Sequence, residues 1–202
     1  MARIPVPQRR AALIEAALRV IARQGVAAAT TRAIAAEAGM SLASLHYAFE
    51  SRDELIAGVI AHVLEQQAGA ALDTLTPGAD LITTLRDGFR AYLAVIAADP
   101  LREQAMMELT QYALRTPGLA DLARRQYAAY YAAAEQVLVA VGEATGYEWR
   151  RPLPEMARIL ITLTDGISIA WLVDRDTEAT ERVLDFAARA LAALGLRKEP
   201  HP

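Results

Sequence analysis

The sequence predicts an all-α protein, and three observations carry that reading. Apolar residues recur at three- and four-residue intervals along nearly the whole chain, the spacing that gathers them on one side of a helix. Ala, Leu, Glu and Arg, all strong helix formers, dominate, and runs with strand-like alternation are nearly absent. Gly and Pro punctuate the chain into about nine helical stretches. With 202 residues, 54% of them hydrophobic, it is long enough for one or two compact domains with a substantial core.

The first helix is expected from about Pro7 to Gln24, with Ala12, Leu13, Ala16, Ala17, Val20 and Ile21 on one face and Gly25 ending it. Thr30 or Thr31 caps a short second helix that runs to Ala38, and Gly39 stops it. A third short helix begins at Ser41 or Leu42 and ends near Phe49. Ser51 caps a fourth, which runs to about Ala71 with Asp53 and Glu54 in its first turn, where the helix dipole favours acids. Thr76-Pro77-Gly78 is a break, and a fifth helix covers about Ala79 to Ala97. Asp99-Pro100 opens a sixth, with Pro in a first turn whose N–H groups have no partner within the helix. Thr116-Pro117-Gly118 opens a long seventh, to about Glu143, and Thr145 to Pro154 reads as irregular. An eighth runs from about Glu155 to Val173. Asp174 or Asp176 leads into a ninth that ends before Gly195, and the tail Arg197 to Pro202 is expected to fray.

Composition narrows the chemistry. There is no Cys and there are three His, which removes disulfides, thiolate metal sites and a Cys nucleophile and leaves no His-rich cluster. No nucleophile elbow, Gly-rich phosphate loop or zinc-protease motif is present, so neither an enzyme nor a cofactor is expected. The N-terminal residues lead into no uninterrupted apolar segment and no apolar run reaches membrane-spanning length, so a cytoplasmic protein without a membrane partner is expected. The formal charge of −3 argues against a nucleic-acid binder over its whole surface, but residues 1–64 carry seven Arg against five acids. A mildly basic head on an acidic body suits a protein whose head alone meets phosphate.

The strongest pattern is TTRAIAAEAGMSLASLHYAF. Ile34, Ala38, Met40 and Leu45 fall where two crossed helices bury apolar side chains, Ala35 where only a small residue fits, and Gly39 at the turn. Phe49 closes this core against the first helix. The arrangement is a helix-turn-helix, whose second helix enters the major groove of DNA.

These residues resemble the tetracycline-repressor (TetR) family of transcriptional regulators. The matching positions are Thr30-Thr31-Arg32, Ile34-Ala35, Ala38-Gly39-Met40-Ser41, Leu45-His46-Tyr47, Phe49 and Ser51-Arg52-Asp53-Glu54-Leu55, together with the Ala-Ala-Leu-Ile-Glu-Ala-Ala run of the first helix. The resemblance implies a tri-helical DNA-binding domain over residues 1–55 and a helical ligand-binding and dimerisation domain over 56–202. It sets Leu42, Ala43 and Ser44 against base edges, where the apolar pair can touch thymine methyls and Ser44 can hydrogen-bond. Arg32 is the best direct reader. Thr31 can cap its helix and bond a phosphate, and Ser41 can bond one at the start of the third helix. His46 stands where the family usually has Tyr, Ala48 where it often has Tyr or His, and Arg52 where Lys is usual. His46, Tyr47 and Arg52 are expected on phosphates.

In the body, the eighth helix is apolar on too much of its circumference for one core face, and Gly166 and Ser168 allow close helix approach. The resemblance makes the eighth and ninth helices a homodimer interface, with Gly166, Ile169, Val183, Phe186, Ala190 and Leu194 as candidates. It also places a ligand pocket among the fourth to eighth helices. Met106, Met107, Thr110, Tyr112, Tyr127, Tyr130, Tyr131, Asp165 and Trp171 are the candidates there, since Met and aromatic side chains make adaptable apolar walls. Asp165, a carboxylate within an apolar helix, needs a partner: ligand, neighbouring helix or second protomer. The expected function is a repressor that holds a near-palindromic duplex operator as a homodimer and is released by a small apolar effector. An activator of the same fold, and a helical protein-interaction module, are the alternatives.

Overall fold

The structure, a computed structural model, describes residues 5–198. Nine α-helices and one two-stranded sheet are formed among the described residues. The contacts divide the chain into two compact units. One runs through Val63 and takes in Asp99–Tyr127; the other comprises Leu64–Ala98 and the chain from Ala128 onward.

The first unit is built on α1 (Val6–Gln24). Pro7 sits in its first turn and Gly25, at φ 81°, ends it by donating its N–H to Ile21 O at 2.8 Å. Burial reaches further round α1 than the single face expected: Ile14 and Leu18 are buried along with Leu13, Ala16, Ala17, Val20 and Ile21. The reason is that α6 (Pro100–Arg115) packs along α1 while α2 (Thr31–Glu37) and α3 (Leu42–Ala48) cover the rest. Each short helix has a polar cap. Thr30 Oγ1 accepts from Ala33 N, and Ser41 Oγ from Ser44 N, both at 3.1 Å. Gly39, at φ 64°, makes the turn, and Met40 N reaches back to Ala35 O at 2.8 Å. Ile34, Ala35, Leu45, Ala48 and Phe49 are buried, whereas Ala38 and Met40 are only half-buried.

Helix α4 (Arg52–Leu72) starts at Ser51, whose hydroxyl accepts from Glu54 N at 3.0 Å. Glu54 returns a carboxylate oxygen to Glu50 N at 2.7 Å and gives the other to Arg10 Nη1 at 2.8 Å. Both bonds favour the charged form and hold its carboxyl below the ordinary glutamate range, the Glu50 amide contributing most. Glu15 ties three helices together, accepting from Arg102 Nη2 of α6 at 3.0 Å and lying 2.9 Å from His62 Nε2 of α4.

The second unit packs α5 (Leu81–Ala98), the later turns of α7 (Ala120–Thr145), α8 (Leu153–Asp174) and α9 (Thr177–Ala192) around Phe89, Leu93, Leu138, Met156, Trp171 and Leu184. Arg86 of α5 pairs with Asp185 of α9, and Arg90 Nε donates to Glu181 Oε2 at 2.8 Å. The segment expected to be irregular contains β1 (Tyr147–Trp149), and the tail expected to fray contains β2 (Gly195–Arg197). They pair antiparallel with Tyr147 opposite Arg197 and Trp149 opposite Gly195. Lys198 N extends the ladder to Gly146 O at 2.9 Å, and Trp149 Nε1 donates to Leu138 O at 3.0 Å. Arg197 is therefore held by backbone hydrogen bonds; residues 199–202 of the expected frayed tail lie outside the described residues.

Candidate nucleic-acid interface and ligand cavity

The surface around α3 presents the expected reading residues together. Arg32, Ser41, Leu42, Ala43, His46 and Tyr47 are exposed, and Thr31 and Ser44 half-exposed. Tyr47 leaves 58% of its surface open although its ring is apolar, and Arg9 lies over that ring at 5.1 Å. In the sequence Arg9 has no signal of its own beyond the basic balance of residues 1–64, yet it brings a cation over Tyr47 of α3. Arg10 turns the other way, over the Phe49 ring at 4.0 Å and onto the carbonyl of Ala48.

Three details depart from the expectation. Thr30, not Thr31, caps α2, so the Thr31 hydroxyl has no part in that cap. The side chain at Ala48 is buried, so that position does not face outward at all. Arg52 is turned inward: Nε donates to Ala29 O at 2.9 Å and Nη2 to Val26 O at 2.8 Å. These carbonyls belong to the first residue of the 3₁₀ turn Val26–Ala28 and to the residue after it, so the guanidinium clamps the α1–α2 connection to the start of α4.

Within the second unit, the later turns of α4 join α5, α7 and α8 around a cavity of about 100 Å³. Its wall is mostly hydrocarbon, with Leu64, Leu85, Phe89, Val137, Leu160 and Ile161 prominent. Polar members are Gln67, Thr84, Tyr92, Tyr130 and Thr164. Tyr92 Oη lies 2.7 Å from Ser168 Oγ, and Ser168 is fully buried. Ser168 thus faces inward, to α5.

Of the expected ligand residues only Tyr130 is in this wall. Met106, Met107, Thr110, Tyr112 and Tyr127 belong to the first unit, where Met106 is core and its carbonyl accepts from Gln126 Nε2 at 3.2 Å. Tyr131 lies in a shallow surface groove under Arg158, 4.8 Å from its ring. Trp171 is core, its indole N–H donating to Thr177 Oγ1 at 3.1 Å across the α8–α9 corner. Asp165 is half-buried and takes part in an interaction of its own.

The outer faces of α8 and α9 carry exposed apolar stripes. Gly166, Ile169, Ala170 and Val173 follow one another at helical spacing on α8, and Val183, Phe186 and Ala190 on α9. Phe186 is 68% exposed and Val173 81%, high values for side chains of their size. Leu194 is different, half-buried against the core of its own unit.

Comparison with known proteins matches residues 13–59 to the model of bacterial regulatory proteins of the tetR family. Residues 81–196, more than half the chain, match the C-terminal domain of BetI-type transcriptional repressors. The chain belongs to the TetR family. It is 33% identical over 172 residues to the nicotine-responsive transcriptional repressor HdnoR of Paenarthrobacter nicotinovorans, covering 85% of this chain and 88% of that one. Among solved structures it is similar to the multidrug binding protein EbrR complexed with imidazole, at 28% identity and TM-score 0.60, covering 96% of each chain. A transcriptional regulator from Rhodococcus sp. Rha1 shares the fold at 20% identity, with TM-score 0.68 over 92% of this chain and 97% of that one.

The all-α TetR fold read from the sequence is thus the fold found, and the chain is a helix-turn-helix transcriptional regulator. One expectation is corrected. By length and hydropathy, Arg52–Leu72 and Leu153–Asp174 are each apolar enough to cross a membrane. In a TetR-family regulator these are α4 and α8, which bury Leu55, Val59 and Val63, and Met156, Ile167 and Trp171, respectively.

Proposed function

We propose that this TetR-family chain is a cytoplasmic repressor that grips a near-palindromic operator as a homodimer and releases it when a small apolar molecule occupies the cavity of the second unit. The observation that carries the reading is that cavity: an apolar pocket walled by four helices and partly open to solvent, in a chain that also presents a helix-turn-helix. Ligand sites are concave and largely apolar with a few polar groups, which describes this wall. At about 100 Å³ it is smaller than the ~150 Å³ engineered cavity that holds benzene, so a larger effector has to push the helices apart. That displacement gives a ligand different affinities for two conformations, which release of DNA requires. The nicotine-responsive repressor and the imidazole-bound regulator support a small heterocyclic or aromatic effector.

Residues 1–55 read DNA in this proposal, and residues 56–202 sense and dimerise. Arg32, Leu42, Ala43 and Ser44 read bases, while Thr31, Ser41, His46, Tyr47 and Arg9 hold phosphates. Gly166, Ile169, Val183, Phe186 and Ala190 form the dimer face. The test is anisotropy titration against a duplex library, including the chain's own upstream region, at two salt concentrations. Affinity should fall steeply with salt, Arg32→Ala and Ser44→Ala should change site preference, and Tyr47→Phe should weaken all sites alike. Small aromatic molecules that raise the melting temperature should also release the operator; hits that bind without release would defeat the repressor-effector reading.

A further inference from the structure

We infer that the cavity selects an uncharged ligand, a compact hydrocarbon body with one hydroxyl or N–H, over a cation of the same shape. This rests on the reading of that cavity as the effector site. Taking an organic cation out of water is unfavourable unless a carboxylate or a shell of acceptors replaces its hydration. No wall residue is Asp, Glu, His, Lys or Arg. Asp165, beside Thr164 in sequence, is not in the wall. The attraction left to a cation is that of the rings of Phe89, Tyr92 and Tyr130, with no carboxylate beside them to offset the hydration it gives up.

The polar side chains fit a neutral partner. Thr84 donates its hydroxyl proton to Asp80 O, and Thr164 donates to Ile161 O, both at 3.0 Å. Each hydroxyl then has only lone pairs to offer, and a ligand O–H or N–H matches them. Tyr92 and Ser168 already satisfy one another at 2.7 Å. Gln67 and Tyr130 add an amide and a hydroxyl, so the wall offers hydrocarbon surface and neutral hydrogen-bonding groups, and has no carboxylate to neutralise a fixed charge.

Two isosteres separate these outcomes: 3,3-dimethylbutan-1-ol and choline, which differ by a carbon in place of a charged nitrogen. Dissociation constants are measured by ligand-observed NMR or calorimetry on the full chain and on Gly88→Leu, whose new side chain enters the cavity from a wall position where a Cβ meets only Ala71 Cβ at 3.9 Å. Ala68→Leu is a second filler should the first fold poorly. The alcohol is expected to bind at least about 30-fold tighter than choline, and to lose binding in the filled variants. Choline binding as well as the alcohol, and lost on filling, overturns the neutral-ligand inference while leaving the cavity reading intact. Failure of both to bind, or binding indifferent to filling, overturns the cavity reading and the inference with it.

Discussion

Replacing Arg52 by Lys separates a structural role from a phosphate contact, because it keeps the charge and discards the fork. In the structure Nε and Nη2 reach two different carbonyls, Ala29 O at 2.9 Å and Val26 O at 2.8 Å. A single ammonium on a flexible stem cannot occupy both places, so at least one bond goes. Hydrogen bonds from charged donors contribute about 1.5–3 kcal/mol, and partial exposure of this group brings the expected loss to about 1–2 kcal/mol. For a chain of this length each kcal/mol moves the melting temperature by about 2–4 °C, so Arg52→Lys should melt about 2–8 °C lower. The assay is thermal unfolding followed by circular dichroism at fixed protomer concentration, since assembly would otherwise shift the midpoint. Operator affinity, measured well below the transition, should change less than about twofold, because the charge remains. Arg52→Ala should lose at least as much stability. An unchanged melting temperature in both variants, with weaker operator binding in Arg52→Ala, would refute the clamp and return the residue to the phosphate backbone.

Phe186→Glu should give a monomer in analytical ultracentrifugation and weaken operator binding, since it sets a charge in the exposed stripe of α9. A dimer of unchanged strength would move the interface elsewhere. Gly142→Ala should destabilise by about 1–3 kcal/mol, because an added Cβ would stand 2.8 Å from the carbonyl oxygen of Tyr147. Faster amide exchange at Arg150 and Lys198 should accompany it, and unchanged exchange there would mean the strand is free to shift. Acid should loosen the first unit through Glu37 and Glu54, whose carboxyls are held below the ordinary range, Glu37 chiefly by its hydrogen bond from Arg19. Their contribution is whole above the ordinary glutamate range and is lost as pH falls through the lowered values. Glu37→Gln should flatten the pH dependence of the melting temperature on that acid limb, and an unaltered slope would exclude Glu37 from it.

The headpiece was legible because its determinants are local. Thr30, Ser41 and Ser51 cap helices within three residues of the N–H groups they accept from, and Gly39 supplies a turn that few other residues can adopt. The sheet was not legible: three-residue strands carry no period, and Trp149 finds Gly195 only after two helices have folded back. The cavity was not legible for a different reason. Met106, Tyr112 and Tyr127 are large, adaptable side chains, but a void forms where side chains are short. Ala68, Ala71, Gly88, Ala133 and Ala134, on α4, α5 and α7, make the space, and their alignment was the signal to read. The inward turn of Arg52 is likewise invisible in sequence, because the carbonyls it meets belong to every residue type.

The short ladder between β1 and β2 has a mechanical consequence. It joins the chain just before α8 to the chain just after α9, so both helices lie within one closed loop. Closing such a loop removes freedom from its contents once, and neither helix can then swing away without opening the clasp. A pull on the end of the chain would load that ladder first and unzip it pair by pair, with α9 released only afterwards. Whatever docks on the stripes of α8 and α9 therefore meets a plate already set, and its binding energy is not spent in arranging the two helices.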